Sequence, residues 1–319
     1  MSSPTGPASG LPVRMPRPRQ PGRHRRPEPV AAPEGAPPLV LAVPGVCDAA
    51  VRGLAEEIVS IARSELPGLD ARIGYLDGDG VEFPHLTVVL ARAAAERTGT
   101  ADRPAEHAER EPEQDAGPEA AERPAAPGDG LAAVVVPLLA GPDATLTHRI
   151  RQAVAAAGVP AEVTDPLGPH PLLAEAVHVR LSEAGLARAD RARLFTVATA
   201  ADGIVLAAAG GPAAAQAAGI TGMLLSARLA LPVMAAALDQ EGDVARVAGE
   251  LRSSGSAQLA LAPCAVGPEV APDLLARATA EAGCPAAEPI GAYPAVGGLV
   301  VAKYATVLGI TPRPSAAMR

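Results

Sequence analysis

Tryptophan is absent from this 319-residue chain, and three tyrosines and two phenylalanines are its only aromatic residues. Platforms that stack single-stranded nucleic acid need exposed rings, so that class is excluded. An excess of basic charge is missing too: 27 Lys and Arg stand against 35 Asp and Glu, a formal net charge of −8. That balance disfavours a nucleic-acid-binding body. The three cysteines, Cys47, Cys264 and Cys284, form no CxxC pair and no even framework, which points to a reduced, cytoplasmic compartment. Residues 1–38 contain no apolar core of a signal peptide. The most apolar stretch, Ala213 to Leu238, is interrupted by Gln216, Arg228 and Pro232. It reads as a buried helix followed by a strand, and no membrane partner is expected. Neither GxGxxG nor GxxxxGK[ST] occurs, so no nucleotide is expected. HxxxH, HExxH and His/Cys clusters are also lacking, and spacing alone defines no metal site.

What is present is a globular chain, 48% hydrophobic, whose core must be built from closely packed Ala, Val and Leu. Residues 1–37 are rich in Pro and Arg and bury too little to offset their ordering entropy, so they read as a disordered tail. Residues 98–130 read as a disordered acidic insertion, and 311–319 as a short tail. Between them lie two expected domains, 38–190 and 200–310, each of a size to bury its own core.

The second unit repeats the first. Asp165-Pro166-Leu167-Gly168-Pro169-His170-Pro171 is answered by Glu288-Pro289-Ile290-Gly291-Ala292-Tyr293-Pro294. Val136-Pro137-Leu138-Leu139-Ala140-Gly141-Pro142-Asp143 is answered by Ala262-Pro263-Cys264-Ala265-Val266-Gly267-Pro268-Glu269. Short β-branched runs alternate with amphipathic stretches in both units. The alternation predicts two tandem three-layer α/β domains, each with a mainly parallel four-stranded sheet. Helices are expected over 49–66, 85–97, 144–157 and 172–184, then over 213–229, 243–253, 272–282 and 295–308.

Ligands of such sheets bind beyond the carboxyl ends of the strands. The glycines there, Gly45, Gly141 and Gly210, are the candidate ligand-approach positions. Asp77 and Asp239 leave the second strand of each unit, and Asp77 could orient a ligand or take a proton, although turn and cap roles compete. Cys47 reads as an inert thiol and His178 as a solvated residue. His170 answers to Tyr293, a packing position that tolerates either ring.

The phrases from Val40 to Gly45, Gly74-Tyr75-Leu76-Asp77, Val136 to Gly141 and Asp165 to Leu173 resemble the sirohydrochlorin chelatase family, in its long form of two fused domains. The resemblance implies a tetrapyrrole partner and a divalent metal substrate, Co²⁺, Fe²⁺ or Ni²⁺, with a homo-oligomer possible. It also implies histidines at four positions, which here are Pro44, Thr145, Ala209 and Ala271. Imidazole suits such metals and accepts protons near neutrality. Substitutes would have to come from Asp77 and His148 as catalytic groups, and from Glu82, His85 and His148 as metal ligands. The alternative is a paralogue that binds the tetrapyrrole as a carrier, scaffold or regulatory subunit. Arg72 and Lys303 are candidate basic partners of the ligand's carboxylates, against the competing reading that lone basic residues at element ends are ordinary surface charges.

Overall fold

The structure, a computed structural model, describes residues 31–101, 128, 130–187 and 201–310. Residues 1–30, most of the expected acidic insertion and 311–319 lie outside the described residues. Residues 31–37, expected in the tail, lie against the fold. The Ala32 amide donates to the Pro67 carbonyl (2.9 Å), and the Pro37 carbonyl accepts from the buried Tyr304 hydroxyl (2.7 Å).

In the first half, strands β1 (Leu39–Val43), β2 (Ala71–Tyr75), β3 (Ala133–Pro137) and β4 (Ala161–Val163) form one sheet in the order β2-β1-β3-β4. All its pairings are parallel; Leu39, for example, lies opposite Ala71 on one side and Val134 on the other. Helices α1 (Ala49–Glu65), α2 (Leu86–Ala101), α3 (Ala144–Ala157) and α4 (Pro171–Glu183) connect and follow the strands. β1 reads Leu-Val-Leu-Ala-Val and is buried throughout, as a central parallel strand covered on both faces must be.

The second half has the same order, β6-β5-β7, from β5 (Gly203–Ala208), β6 (Val233–Ala237) and β7 (Leu259–Pro263). Its helices are α5 (Gly211–Leu229), α6 (Asp243–Ser253), α7 (Pro272–Ala282) and α8 (Pro294–Val307). The fourth strand expected near Ala286 shrinks to a single bridge from Leu261 to Ala286. Pro285 and Pro289 flank that position, and proline cannot extend a ladder of amide donors. The second sheet therefore has three strands rather than the four expected.

Alternating side chains sort the core. Val40 and Ala42 of β1 point to one cluster with Leu90 of α2 and Ile150 of α3. Leu39, Leu41 and Val43 point to the other side, into a cluster that also contains Ile204 and Leu206 of β5. That cluster is shared by both halves. It holds Ile58 of α1, Val177 of α4, Leu225 of α5 and Val300 of α8. α8 packs on α1 and on β3, while α4 packs on α5 and on β7, so each half sends its last helix over the other's sheet. Each half also buries a cluster of its own, around Val40 and Ile150 in the first and around Val205 and Leu251 in the second, so the shared cluster is additional to those expected. α4 and α8 each bury six or more side chains spread around the helix, Leu173 to Leu181 and Val296 to Ala305. A helix apolar on most sides must be buried on most sides, and one three-layer unit cannot do that alone.

His178 falls on α4 and is only 4% exposed, which corrects its reading as a solvated residue. Its Nδ1 accepts from Arg228 Nε of α5 (2.9 Å).

Candidate functional site

The carboxyl ends of the strands in the two halves face each other. The β1–α1 loop, residues 44–48, starts with buried Pro44 and turns at Gly45, whose φ is +87°. A Cβ on Gly45 would overlap the Pro268 carbonyl of the β7–α7 loop. The reciprocal contact exists: a Cβ on Gly210 (φ +109°) would stand 2.7 Å from the Pro142 carbonyl and 3.1 Å from Asp143 Cα in the β3–α3 loop. The first loop of each half thus presses on the third loop of the other. The close approach that Gly45 and Gly210 permit is to protein backbone. The Gly210 and Gly211 amides are also occupied, donating to the Asp239 carboxylate (3.2 and 3.0 Å). Gly141 lines a cavity of about 10 Å³ at this junction, with Ala140 and Pro169 on one side and Ala209, Thr221 and Cys264 on the other.

Glu269 joins the two halves at the same place. Its carboxylate accepts from the Val266 amide (2.6 Å) and the Gly267 amide (2.8 Å) in its own loop, and from Ala140 across the junction (3.3 Å). Burial, opposed by these amide bonds, pushes its carboxyl above the ordinary value. Its repeat partner Asp143 caps α3 instead, accepting from the Leu146 amide (2.8 Å). The signal in sequence was the Asp-to-Glu exchange between the repeats, whose extra methylene lengthens the reach.

Thr221 on α5 is 1% exposed, and its hydroxyl has no hydrogen-bond partner among the described residues. Replacing a lone buried hydroxyl by an isosteric methyl removes an uncompensated desolvation cost. Thr221→Val should therefore raise unfolding free energy by about 1 kcal/mol in chemical denaturation; a loss of stability would show that solvent satisfies the hydroxyl.

The residues expected from sequence to carry chemistry sit in the first half, Asp77, Glu82 and His85 on the β2–α2 loop and His148 on α3. Asp77 receives an ion pair from Arg149 on α3. Arg149 adjoins His148, so the structure brings Asp77 and the His148 turn to the same edge. His148 is exposed. Glu82 is bound by Arg52 of α1, which stacks over Phe83 with 5.8 Å to the ring centroid. His85 Nδ1 accepts the Thr87 amide (3.3 Å) and lies 2.9 Å from the Thr87 hydroxyl. Among the described residues no group of three His, Cys, Asp or Glu side chains could hold a metal ion. Glu82, His85 and His148 are therefore not assembled into the ligand set that sequence reasoning assigned them. Of the four positions where the resemblance implies histidine, Pro44 is buried, while Thr145 and Ala271 are exposed at the starts of α3 and α7.

Burial, with Asp77, Asp79 and Asp48 adding to it, raises the Cys47 thiol, and burial pushes Cys264 up to about 12. Both stay protonated at neutral pH, as inert thiols do. His170 and Tyr293 hold equivalent places at the starts of α4 and α8. The first accepts the Leu172 amide (3.1 Å) and the second donates its hydroxyl to Glu183. Arg72, a candidate for holding ligand carboxylates, is engaged by Asp70 (2.6 Å) and Glu96 (2.7 Å) near the amino end of β2, away from the loops. Arg52 and Arg149 are basic side chains paired with the loop carboxylates Glu82 and Asp77. No helix among the described residues is long and apolar enough to cross a membrane.

No protein-family model matches the chain, and no curated protein matches it by sequence. Solved structures do. SirB from Bacillus subtilis with Fe³⁺ superposes with a TM-score of 0.57 at 14% identity, over 85% of this chain and 96% of that one. The sirohydrochlorin chelatase SirB from Bacillus subtilis subspecies spizizenii, in complex with cobalt, gives 0.52 at 12% identity, over 86% and 96%. DR2241 from Deinococcus radiodurans, a multi-domain protein with structural similarity to chelatases, gives 0.51 at 18% identity. This chain covers 55% of DR2241, which in turn covers 85% of this chain. At these identities the likeness speaks for architecture: the chain has the two-unit chelatase-like fold.

Proposed function

We propose that this protein is of the sirohydrochlorin chelatase type and binds a tetrapyrrole at the carboxyl edge of its sheets, without imidazole-based metal insertion. Fold likeness alone does not license an activity, so the reading rests on the site. One observation carries it: Pro44, Thr145, Ala209 and Ala271 stand where the resemblance implies histidines, and no metal-ligating trio forms among the described residues. Proline, threonine and alanine can neither hold a borderline metal as imidazole does nor accept pyrrole protons near neutrality. The edge keeps features suited to a flat acidic macrocycle. Val46 and Val81 are 75% and 98% exposed on the β1–α1 and β2–α2 loops, and Arg52 and Arg149 lie beside them on α1 and α3. Both arginines are already paired with carboxylates, so a ligand carboxylate would have to share or displace Glu82 and Asp77.

A second reading, metal insertion by displaced ligands, is favoured by the Asp77–Arg149 pair, which holds Asp77 beside the turn carrying His148. One assay separates the two. Anaerobic sirohydrochlorin is titrated with the protein, and Co²⁺, Fe²⁺ or Ni²⁺ is then added against a no-protein control. A perturbed pigment spectrum with metal uptake at the control rate is the expected result. Uptake faster than the control, abolished in a protein carrying both Asp77→Ala and His148→Ala, would establish the second reading. An unchanged pigment spectrum would defeat both.

A further inference from the structure

On the outer face of the first sheet, opposite the shared core, α2 and α3 border an open groove of about 270 Å³. Its floor is apolar, from Leu76, Ala153 and Ala156, and its polar lining is His85, Thr87, Arg149 and Gln152. No carboxylate lines it. Three of the four polar side chains offer a donor to the groove, a guanidinium, a carboxamide and an imidazole, while the Thr87 hydroxyl donates to His85 Nδ1 (2.9 Å). The imidazole's tautomer follows from its neighbour. Because the Thr87 amide donates to Nδ1 (3.3 Å), that nitrogen is the acceptor and the neutral ring carries its proton on Nε2. The nitrogen left for a ligand is then a donor, which suits an anion and not a metal. Arg149 keeps 39% of its side chain exposed while Asp77 holds one of its terminal nitrogens, so the rest of the planar fork stays open to a second acceptor.

We propose that this groove binds a small anion through a carboxylate or phosphate group. Arg149 supplies the charge, while His85 Nε2 and the Gln152 amide supply further donors. The apolar floor seats a short hydrocarbon stem. Asp77 acts as a built-in competitor that neutralises Arg149 until a ligand arrives. The chain as a whole is acidic, with a net charge of −8, so anions are not drawn to it indiscriminately. The groove shares Arg149 and its partner Asp77 with the edge proposed to take a tetrapyrrole carboxylate, and small-anion binding measured without pigment tests it apart from that reading.

The full chain is titrated with inorganic phosphate and, separately, with malonate at constant ionic strength, with chloride as the control, and binding is read by calorimetry and by melting temperature. Saturable binding of at least one anion is expected, and the better of the two names the source, phosphate or carboxylate. Arg149→Met should weaken binding roughly tenfold or more, the worth of one charge-assisted hydrogen bond. Gln152→Ala, an exposed substitution that leaves the core alone, should weaken it roughly threefold. Asp77→Asn should strengthen it by a similar factor, because the competing charge is gone. Binding no better than chloride, or Arg149→Met and Gln152→Ala proteins that bind like the unaltered one, would overturn the proposal.

Discussion

Gly45→Ala should cost about 3 kcal/mol of stability, one part from forcing a side chain into φ +87° and the other from overlap at the junction. The neighbour it meets is the Pro268 carbonyl, a backbone atom that cannot rotate away. The β7–α7 loop must retreat, and with it the contact between the halves. Gly80 provides the control. Its φ is +73°, and a Cβ there meets nothing within 4 Å. Gly80→Ala carries the backbone strain without the overlap and should cost about 1 kcal/mol. Urea denaturation of the three proteins measures both values. Equal losses at the two glycines would show that the halves do not press together in solution.

Glu269→Ala should lose about 2–4 kcal/mol at acidic pH, where the contribution of the side chain is full, because it leaves the Val266, Gly267 and Ala140 amides without their acceptor. The pH dependence runs the other way from a surface carboxylate. Burial raises the Glu269 carboxyl above its ordinary value of 4.5, so the folded state holds the proton more tightly than the unfolded chain. Its contribution is full below 4.5 and is lost as pH rises through the raised value. Between those limits the unaltered protein should lose stability with increasing pH, and the Glu269→Ala protein should lack that component of the slope. Denaturation midpoints from pH 4 to 8 test it; parallel profiles would show that the carboxylate is solvated and does not join the halves.

Much of the architecture was legible because it is local. The apolar run Leu39–Val43, the Asp143 cap before α3 and the glycine that ends it at Gly158 each fix an element through chemistry within a few residues. The helices expected over 144–157, 243–253 and 272–282 occur at those limits. The missing fourth strand of the second sheet was legible in part, since Pro285 and Pro289 were visible, but pairing depends on a partner that sequence does not place. The site was less legible for the same reason. Asp77, Glu82, His85 and His148 were chosen for their chemistry and their position after strands, yet Arg149 and Arg52 decide what two of them do. Both arginines come from helices distant in sequence. Glu269, the residue that ties the halves, looked like a repeat of Asp143.

By itself the sequence determined the alternation of strands and helices, the buried apolar runs of the strands and the residue types that stand at the strand ends. These follow from period, composition and residue identity, which are properties of the chain read in order. Only the tertiary structure decided that α4 and α8 exchange sheets, that the loops at the junction meet backbone to backbone, and that the acidic loop residues are counter-ions of arginines. Each of those outcomes depends on which surfaces are brought within a few ångströms, and packing and Coulombic interactions act over that range whatever the separation along the chain.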